Sequence, residues 1–300
     1  MILIWGAVYD NPLKEVFAEL QSRDIPVLLI DQKYIQRSKI ELDISSPVSC
    51  TINYLNQVFH SEDVRSVYIR TYDFTQEDEW TSDKLYDEAH RHAYRFEEYM
   101  SIWLEHSTLK VVNKLSNSIS NSSKPFQMDI IRKHGFKVPE TIITTDPEFA
   151  KEFLAKHKKI IYKSISSFRS IVSCLTKNDI SRLNDVIFCP TQFQKNIDGT
   201  DYRVHVLGEK IFPVKITSTA SDFRYSSETK ITASRIPDEI AEKCLKITRS
   251  MGLHFSGIDL RRTSDDEWYC FEVNPSPGYT YFSNMAGQNI TSELVDYLLN

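Results

Sequence analysis

Residues 257–275 read GIDLRRTSDDEWYCFEVNP. Two runs of strand-forming residues flank a polar turn at Thr263–Glu267, which is the pattern of a β-hairpin. With the tip of the turn at Asp265-Asp266, apolar residues meet in pairs on one face of the hairpin. The predicted apolar pairs are Ile258 with Val273 and Leu260 with Phe271. This register is strongly specified, because a slip of one residue would turn the apolar set outward.

The same register brings oxygen-bearing side chains together on the opposite face. Asp259 lies opposite Glu272, and Asn274 follows on the same face. Two carboxylates opposed across a ladder repel one another, and Mg²⁺ removes the repulsion because it binds one or two carboxylates together with phosphate oxygens and water. The hairpin is therefore a candidate Mg²⁺ site, and the alternative is a solvated acidic face. The rigid loop NPSPG at 274–278, which ends the strand sharply, favours the metal site.

Short apolar runs alternate with helical patterns over roughly the first hundred residues, which indicates a parallel α/β unit. Strands are predicted at Met1–Val8, Ile25–Asp31 and Val64–Tyr72, with a helix from Leu13 to Arg23. The serine-rich stretch Ser116–Ser123 is predicted as a loop. Strands dominate from Val186 onward, interrupted by one helix around Pro237–Met251. The predicted fold class is α/β (α+β).

Length, charge and cysteine spacing exclude several classes of protein. The 300 residues suffice for two or three packed modules. A net charge of −5 provides no general attraction to nucleic acid or anionic lipid, and no apolar run approaches the ~18 residues that a membrane span requires. The five cysteines are scattered without the spacing of a zinc site, which indicates reduced thiols. We therefore predict a cytoplasmic protein that binds neither nucleic acid nor membrane.

Lys163 is a candidate phosphate contact on physical grounds. In KIIYKSI at 159–165, strand alternation places Lys163 on one face with Ile161 and Ile165. A buried, unpaired ammonium is costly, so this lysine needs an anionic partner such as a phosphate. The alternative is a long side chain whose charged end reaches solvent.

The hairpin motif, GxD followed by ExNP, resembles the end of the catalytic domain in the ATP-grasp superfamily. The resemblance is greatest to the RimK-like branch, which includes ribosomal-protein glutamate ligases and the ligases that macrocyclise graspetide peptides. It extends over roughly Lys110–Asn300, with the motifs in the family's order. It implies an N-terminal α/β pre-ATP-grasp domain at 1–109 and a two-lobed ATP-grasp module, with a small lid subdomain at 110–188 and a catalytic subdomain at 189–300.

The resemblance also implies roles for residues that match the family's motifs. Asp259, Glu272 and Asn274 match the residues that hold two Mg²⁺ ions against the ATP phosphates. Arg203, in the segment that matches the family's DxR hairpin, would meet the γ-phosphate or the acyl phosphate. The implied nucleotide contacts are Lys124 and Lys163 at the phosphates, an adenine segment of Gln194, Lys195, Asn196 and Ile197, and Asp201 at the ribose. Two alternatives stay open: a solvated lysine at the start of a helix for Lys124, and a turn cap for Asp201.

Further cationic candidates come from the hairpin and from the chain beside it. Arg261 lies on the Asp259 face in the predicted register, so it is a candidate contact for phosphate or substrate. Lys215 is a further candidate for the nucleotide. The family usually has a glycine-rich loop after the strand lysine, whereas residues 164–172 read SISSFRSIV without any glycine. Serine hydroxyls and Arg169 are therefore predicted to replace backbone amides as phosphate donors.

The chemistry that the resemblance implies is ATP-dependent ligation of a carboxylate to an amine or a hydroxyl through an acyl phosphate. The leading prediction for the substrate is a side chain of a peptide or protein, including a precursor peptide, and the alternative is a free amino acid or small metabolite. A non-catalytic nucleotide-binding module is the prediction from another class, and it is disfavoured because all three metal ligands are present. The resemblance also implies a homo-oligomer.

Overall fold

The computed structural model describes residues 1–45, 47–72, 84–165, 173–176, 178–217 and 229–300. The chain divides into two compact units. The first comprises Met1–Ser118, Met251–Phe255 and Pro275–Asn300, and the second comprises Ile119–Ser250 and Ser256–Asn274. The division at residues 109 and 188 that the resemblance implies stays a prediction.

Helices and strands occupy most of the described residues. Up to residue 118 they are β1 (Ile2–Gly6), α1 (Asn11–Ser22), β2 (Val27–Asp31), β3 (Lys39–Asp43), β4 (Ser49–Tyr54), β5 (Gln57–His60), β6 (Ser66–Arg70), α2 (Lys84–His106) and β7 (Lys110–Val112). From residue 119 they are α3 (Lys124–Lys133), β8 (Thr141–Thr144), α4 (Pro147–His157), β9 (Ile160–Ser164), β10 (Ser173–Cys174), β11 (Thr191–Lys195), β12 (Thr200–Leu207), β13 (Lys210–Thr217), β14 (Lys230–Ala233), α5 (Asp238–Ser250), β15 (Phe255–Arg262), β16 (Trp268–Asn274), α6 (Thr280–Ala286) and α7 (Ile290–Leu299). None of the helices in this described part combines the length and apolar character of a membrane crossing.

A parallel sheet of four strands forms the centre of the first unit, in the spatial order β2-β1-β6-β7. Every residue of β1 and β6 is buried, as expected for central strands of a sheet covered on both faces. Helix α2 contributes Phe96 and Trp103 to the core around Trp5. Helix α1 follows Asp10, whose side chain accepts a hydrogen bond from the Leu13 N–H at 3.0 Å. The predicted parallel α/β unit is confirmed.

Two helices near the end of the chain correct the expectation of a single helix after residue 186. In α7, Ile290, Leu294 and Leu298 recur at helical spacing, and each is at most 1% exposed. This apolar stripe packs in the first unit, where α7 contacts α1. Helix α6 ends at Gly287, which has a φ of 64° that glycine adopts without strain. The three-stranded sheet β3-β4-β5 is likewise absent from the sequence-based prediction.

The serine-rich segment predicted as a loop is a 3-10 helix over Ser116–Ser122. Its backbone is satisfied locally: the Ser118 N–H donates to the Leu115 carbonyl at 3.0 Å, and the Ser123 N–H donates to the Ser120 carbonyl at 3.3 Å. Serine and asparagine therefore mark a break in the longer elements here, but the break itself has regular structure.

Two sheets are found among the described residues of the second unit. The larger has the order β14-β13-β12-β15-β16, and the smaller, antiparallel sheet has the order β10-β9-β11-β8. Helix α4 and a 3-10 helix at Ile180–Phe188 pack against the smaller sheet through Phe153, Leu183 and Phe193. Because β12 and β15 are neighbours in the larger sheet, polar side chains on one face of these strands lie side by side.

Candidate metal and nucleotide site

The hairpin of β15 and β16 places the two candidate carboxylates opposite one another. Asp259 is the cross-strand partner of Glu272, and Ile258 is the partner of Val273. Ile258 and Val273 are fully buried, so the acidic neighbours of both residues point to the other face of the sheet. Asn274 shares that face with Glu272 by strand alternation. The pairing confirms this part of the predicted register.

The predicted pairing of Leu260 with Phe271 is wrong, because the register shifts between Asp259 and Leu260. Leu260 pairs with Cys270, and both side chains are buried. Phe271 lies instead beneath the guanidinium of Arg261, which is 5.2 Å from the centre of its ring. A β-bulge inserts one extra residue in one strand. Since Cys270 and Phe271 are both apolar, the apolar pattern gives no indication of which of them faces the core.

Arg203 binds the first carboxylate from the neighbouring strand β12. Its Nη1 donates to Asp259 Oδ1 at 2.5 Å. The side chain of Arg203 is 8% exposed and that of Asp259 is 36% exposed, so the pair lies at the border of the protein interior. Burial raises the pKa of Asp259 above its ordinary value, the charge of Arg203 opposes that shift, and the charge of Glu272 adds to it. A nearby positive charge therefore stabilises the ionised form of Asp259.

Lys124 binds the second carboxylate from the start of helix α3. Its Nζ donates to Glu272 Oε1 and, at 3.0 Å, to Asn121 Oδ1. Burial alone would raise the pKa of Glu272, but the positive charges of Lys124, Arg203 and Lys163 hold the pKa below its ordinary value. Three cations predicted to contact ATP phosphates thus act on one carboxylate. Lys124 begins helix α3, but its side chain is partly buried in this ion pair and is therefore not simply solvated.

Arg261 on β15 and Asp201 on β12 form another ion pair between the two strands that carry Asp259 and Arg203. The Nε and Nη2 of Arg261 donate to the two oxygens of Asp201 at 2.6 and 2.9 Å, and its Nη1 donates to the Ile197 carbonyl at 2.8 Å. Asp201, predicted either to bind ribose or to cap a turn, is thus the partner of Arg261. The guanidinium is engaged by Asp201 and by the backbone of the predicted adenine segment.

A cavity adjoins this ion pair. Its volume of about 400 Å³ is within the range of small-molecule sites. Its walls come from the loop between β11 and β12, from β13 and from β15. Predicted nucleotide residues in the lining are Asn196, Ile197, Asp201 and Lys215, joined by Arg261. Lys159 and Cys174 also line it, and neither had been predicted from the sequence.

The predicted adenine segment begins on β11, where its first residues make contacts within the smaller sheet and beside it. Gln194 is buried, and its side chain donates to Thr141 Oγ1 at 2.9 Å. The Lys195 N–H donates to the Glu140 carbonyl at 2.8 Å, which binds β11 to the chain preceding β8. The Asn196 N–H donates to the Lys159 carbonyl at 3.1 Å. Arg169 lies outside the described residues.

The donor set suits Mg²⁺ in its chemistry. Asp259 and Glu272 offer carboxylate oxygens and Asn274 an amide oxygen, which are the hard donors that Mg²⁺ takes together with phosphate and water. In the part of the chain that the structure describes, no three His, Cys, Asp or Glu side chains gather into a self-sufficient metal site. This arrangement is typical of an ion that shares its coordination with a phosphate ligand, and is unlike a closed zinc site.

Gln127 is a residue of this region that the sequence analysis missed. It lies on α3 and is 1% exposed, and its side chain hydrogen-bonds the backbone of Val273. The available signal was its helical spacing from Ile131, which places a polar residue on the apolar face of α3.

The described geometry can be compared with known proteins. The family of proteins with a RimK-like ATP-grasp domain matches residues 121–298. The chain is 31% identical over 109 residues to a probable alpha-L-glutamate ligase of Marinobacter nauticus, a match that covers 35% of this chain and 36% of that protein. It is 26% identical over 216 residues to the alpha-aminoadipate–LysW ligase LysX of Sulfolobus acidocaldarius, which covers 67% of this chain and 76% of LysX. The chain thus spans about a third of the first relative's length.

Solved structures resemble the chain along almost its whole length. The ATP-grasp ligase PsnB, complexed with a phosphomimetic variant of minimal precursor, Mg and ADP, has a TM-score of 0.80 at 22% identity, covering 99% of this chain and 97% of PsnB. The macrocyclase MdnC of Microcystis aeruginosa, bound with precursor peptide MdnA, has a TM-score of 0.84 at 20% identity, covering 100% and 99%. At these identities the likeness shows the fold.

Proposed function

This chain belongs to the RimK-like ATP-grasp family, and from that premise we propose that it is an ADP-forming ligase that joins a carboxylate to an amine or a hydroxyl. The observation that carries the proposal is the cross-strand pair of Asp259 and Glu272, each bound by a different cation. A site for a metal–phosphate ligand needs both signs of charge at one place.

In this proposal, Asp259, Glu272 and Asn274 hold two Mg²⁺ ions. When bound, the ions neutralise the ATP phosphates and hold them for transfer. Arg203 and Lys124 bind these carboxylates from two elements, so both bring positive charge to the face on which the phosphates would be held. Lys163 adds positive charge from the smaller sheet.

The reaction proceeds in two displacements. An oxygen of the substrate carboxylate attacks the γ-phosphorus of ATP, the bond from that phosphorus to the bridging oxygen breaks, and ADP leaves. The amine or hydroxyl then attacks the acyl carbon and loses a proton, and phosphate leaves with the electrons of the broken carbon–oxygen bond. The residues named above supply positioning and charge stabilisation for the first step, which is the main contribution of proteins to phosphoryl transfer.

The cavity beside Arg261 is proposed to hold the base and ribose of ATP. It is lined by Asn196 and Ile197 of the predicted adenine segment and by Lys215, and its volume of about 400 Å³ is sufficient for this part of the nucleotide. Asp201 and Arg261 both line the cavity, and their two hydrogen bonds hold the carboxylate of Asp201 in place at its wall.

For the substrate that is modified, we propose a side chain of a peptide or protein. Among solved structures similar in fold, PsnB is complexed with a variant of minimal precursor and MdnC is bound with a precursor peptide, and LysX is named as a ligase of alpha-aminoadipate to LysW. A free amino acid or a small metabolite is the alternative substrate. A nucleotide-binding module without catalysis is disfavoured, because the two carboxylates and the amide stand together on one face.

The test is Mg²⁺-dependent release of ADP from ATP, measured with free amino acids and with peptides rich in Thr, Ser, Lys, Asp and Glu as substrates, since such peptides offer both the carboxylate and the hydroxyl or amine. Glu272→Gln is expected to abolish release while thermal unfolding stays close to that of the unaltered chain. The matched control is Glu267→Gln, which removes the charge of a glutamate in the turn of the same hairpin, where it pairs with Lys137. Near-normal ADP release by Glu272→Gln would refute the proposal. ADP release with free amino acids but not with peptides would favour the alternative substrate.

A further inference from the structure

The side chain of Gln127 makes two hydrogen bonds with the backbone of one residue, Val273. Its Nε2 donates to the Val273 carbonyl at 2.8 Å, and its Oε1 accepts from the Val273 N–H at 3.1 Å. Gln127 is 1% exposed, and its Nε2 also lies 3.5 Å from Ser120 Oγ. A carboxamide that both donates to and accepts from one residue takes the place that a neighbouring strand would occupy.

The bonded residue stands at the edge of the larger sheet. β16 is the last strand in the order β14-β13-β12-β15-β16, so within the described parts of the chain no strand lies along one side of its backbone. Val273 turns its N–H and carbonyl to this side, where Gln127 meets them. Further along the same edge, the Cys270 N–H donates to the Lys137 carbonyl at 2.9 Å. The edge is thus held by single residues instead of a strand.

Val273 also lies between two of the proposed metal ligands. Its own side chain is fully buried, and Glu272 and Asn274 on either side point to the opposite face. A residue that holds the peptide groups of Val273 therefore limits the movement of both ligands. Gln127 can do this without contacting an ion or a phosphate.

One helix supplies both this backbone clamp and a cation of the site. Lys124 and Gln127 lie one turn apart on α3, and they bind the adjacent residues Glu272 and Val273. From this geometry we infer that Gln127 is a positioning residue, which fixes the distance between α3 and β16 and so sets the direction of Glu272 and Asn274. The inference rests on the proposed function, because it concerns the same metal site. Loss of a residue that orients a metal ligand without contacting the metal typically lowers metal affinity by about 10- to 100-fold.

The experiment compares Gln127→Met with the unaltered chain. Methionine has a similar length and packs in a buried site, but it neither donates nor accepts in the way that Val273 requires. The first measurement is calorimetric binding of ADP over a series of Mg²⁺ concentrations, which needs no acceptor substrate. The second is hydrogen exchange at the Val273 amide without added metal. We expect the Mg²⁺ concentration for half-maximal ADP binding to rise about tenfold and the Val273 amide to exchange faster.

Ile131→Val is the matched control on the same helix. Ile131 is fully buried and lies one turn after Gln127, so its truncation loosens the packing of α3 without removing either bond to Val273. We expect its Mg²⁺ requirement to equal that of the unaltered chain. If Gln127→Met does not fold, Gln127→Glu takes its place, since it keeps an acceptor for the Val273 N–H but loses the donor; the same rise is then expected.

Three outcomes would overturn the inference. Folded Gln127→Met or Gln127→Glu with an unchanged Mg²⁺ requirement would show that Gln127 only stabilises the edge strand. An equal rise in Ile131→Val would assign the effect to general loosening of the helix. Both results would leave the proposed function standing. If the unaltered chain binds ADP without any dependence on Mg²⁺, the proposed function fails, and the positioning role fails with it.

Discussion

Arg261 on β15 holds Asp201 on β12 through two hydrogen bonds, of 2.6 and 2.9 Å, and a third bond of 2.8 Å ties it to the Ile197 carbonyl. The sequence had predicted a different task for Arg261, namely contact with phosphate or substrate. In the structure its donors are directed to the wall of the proposed nucleotide cavity. The two assignments differ in which kinetic constant the residue controls.

Replacing Arg261 with Met is expected to raise the KM for ATP about tenfold with a smaller change in kcat, since one charge-assisted contact is worth roughly 1.5 kcal/mol. The physical reason is that Asp201 and the Ile197 carbonyl lose the group that orients them. Steady-state ADP release at varied ATP measures both constants. Arg262→Met is the control, because Arg262 is more exposed and pairs with Asp266 in the turn. A fall in kcat with an unchanged KM would instead favour contact with the transferred phosphate.

Arg203→Gln is expected to lower kcat for ADP release by about 100-fold or more, the usual effect of removing one donor to a developing oxyanion. Arg203 is nearly buried beside Asp259, so glutamine leaves both the acid and the proposed phosphate without their cation. Arg203→Lys should retain more activity, although a lysine cannot bind two oxygens side by side. Arg249→Gln, which breaks an exposed pair with Glu209, serves as the control. Activity of Arg203→Gln within a few-fold of normal would contradict the assigned role.

Asn113→Ala is expected to lower the free energy of unfolding by at least ~2 kcal/mol, because it removes several hydrogen bonds to buried backbone groups at once. The Asn113 side chain donates to the Phe255 and Pro275 carbonyls, both at 2.6 Å, and accepts from the His254 N–H at 2.7 Å. Urea unfolding followed by circular dichroism measures the loss. In Asn117→Ala, only one exposed bond to the Gly252 carbonyl is removed, and we expect a loss below about 1 kcal/mol. Equal losses in the two variants would contradict the prediction.

The stability of the protein is expected to fall on acidification partly through His254. Burial lowers the pKa of His254 below its ordinary value, and the charges of Lys110 and Lys114 lower it further. The unfolded chain therefore takes up this proton at a higher pH than the folded chain does. The stability that neutral His254 contributes is present above pH of about 6.5 and is lost as the pH falls through the folded pKa.

The measurement for His254 is urea unfolding at about pH 7.5 and about pH 5.5. The unaltered chain should lose more stability between these two conditions than His254→Gln does, because the variant has no proton to gain at this position. The comparison between the two proteins cancels the contributions of other titrating groups. An identical loss in both would show that the protonation of His254 is not linked to folding.

The periodicity of apolar residues made much of the fold and of the candidate site predictable. Strand alternation and one polar turn place Asp259 opposite Glu272, because residues close in sequence adopt a repeat of two that any folded context preserves. The parallel sheet of the first unit follows from apolar runs alternating with helical patterns in the same way. The bulge at Phe271 was not predictable, since Cys270 and Phe271 are both apolar and only the packed core distinguishes them.

The amino-acid sequence by itself determined which residues can serve as hard-metal ligands and on which face of their strands they stand. Only the tertiary structure decided the partners of those residues: Arg261 binds Asp201 across 60 positions of the chain, and Gln127 binds Val273 across 146. Such pairings depend on which strands become neighbours and on which edge a helix covers. No short repeat in a sequence encodes that choice, because it is made by the burial of the whole apolar surface at once.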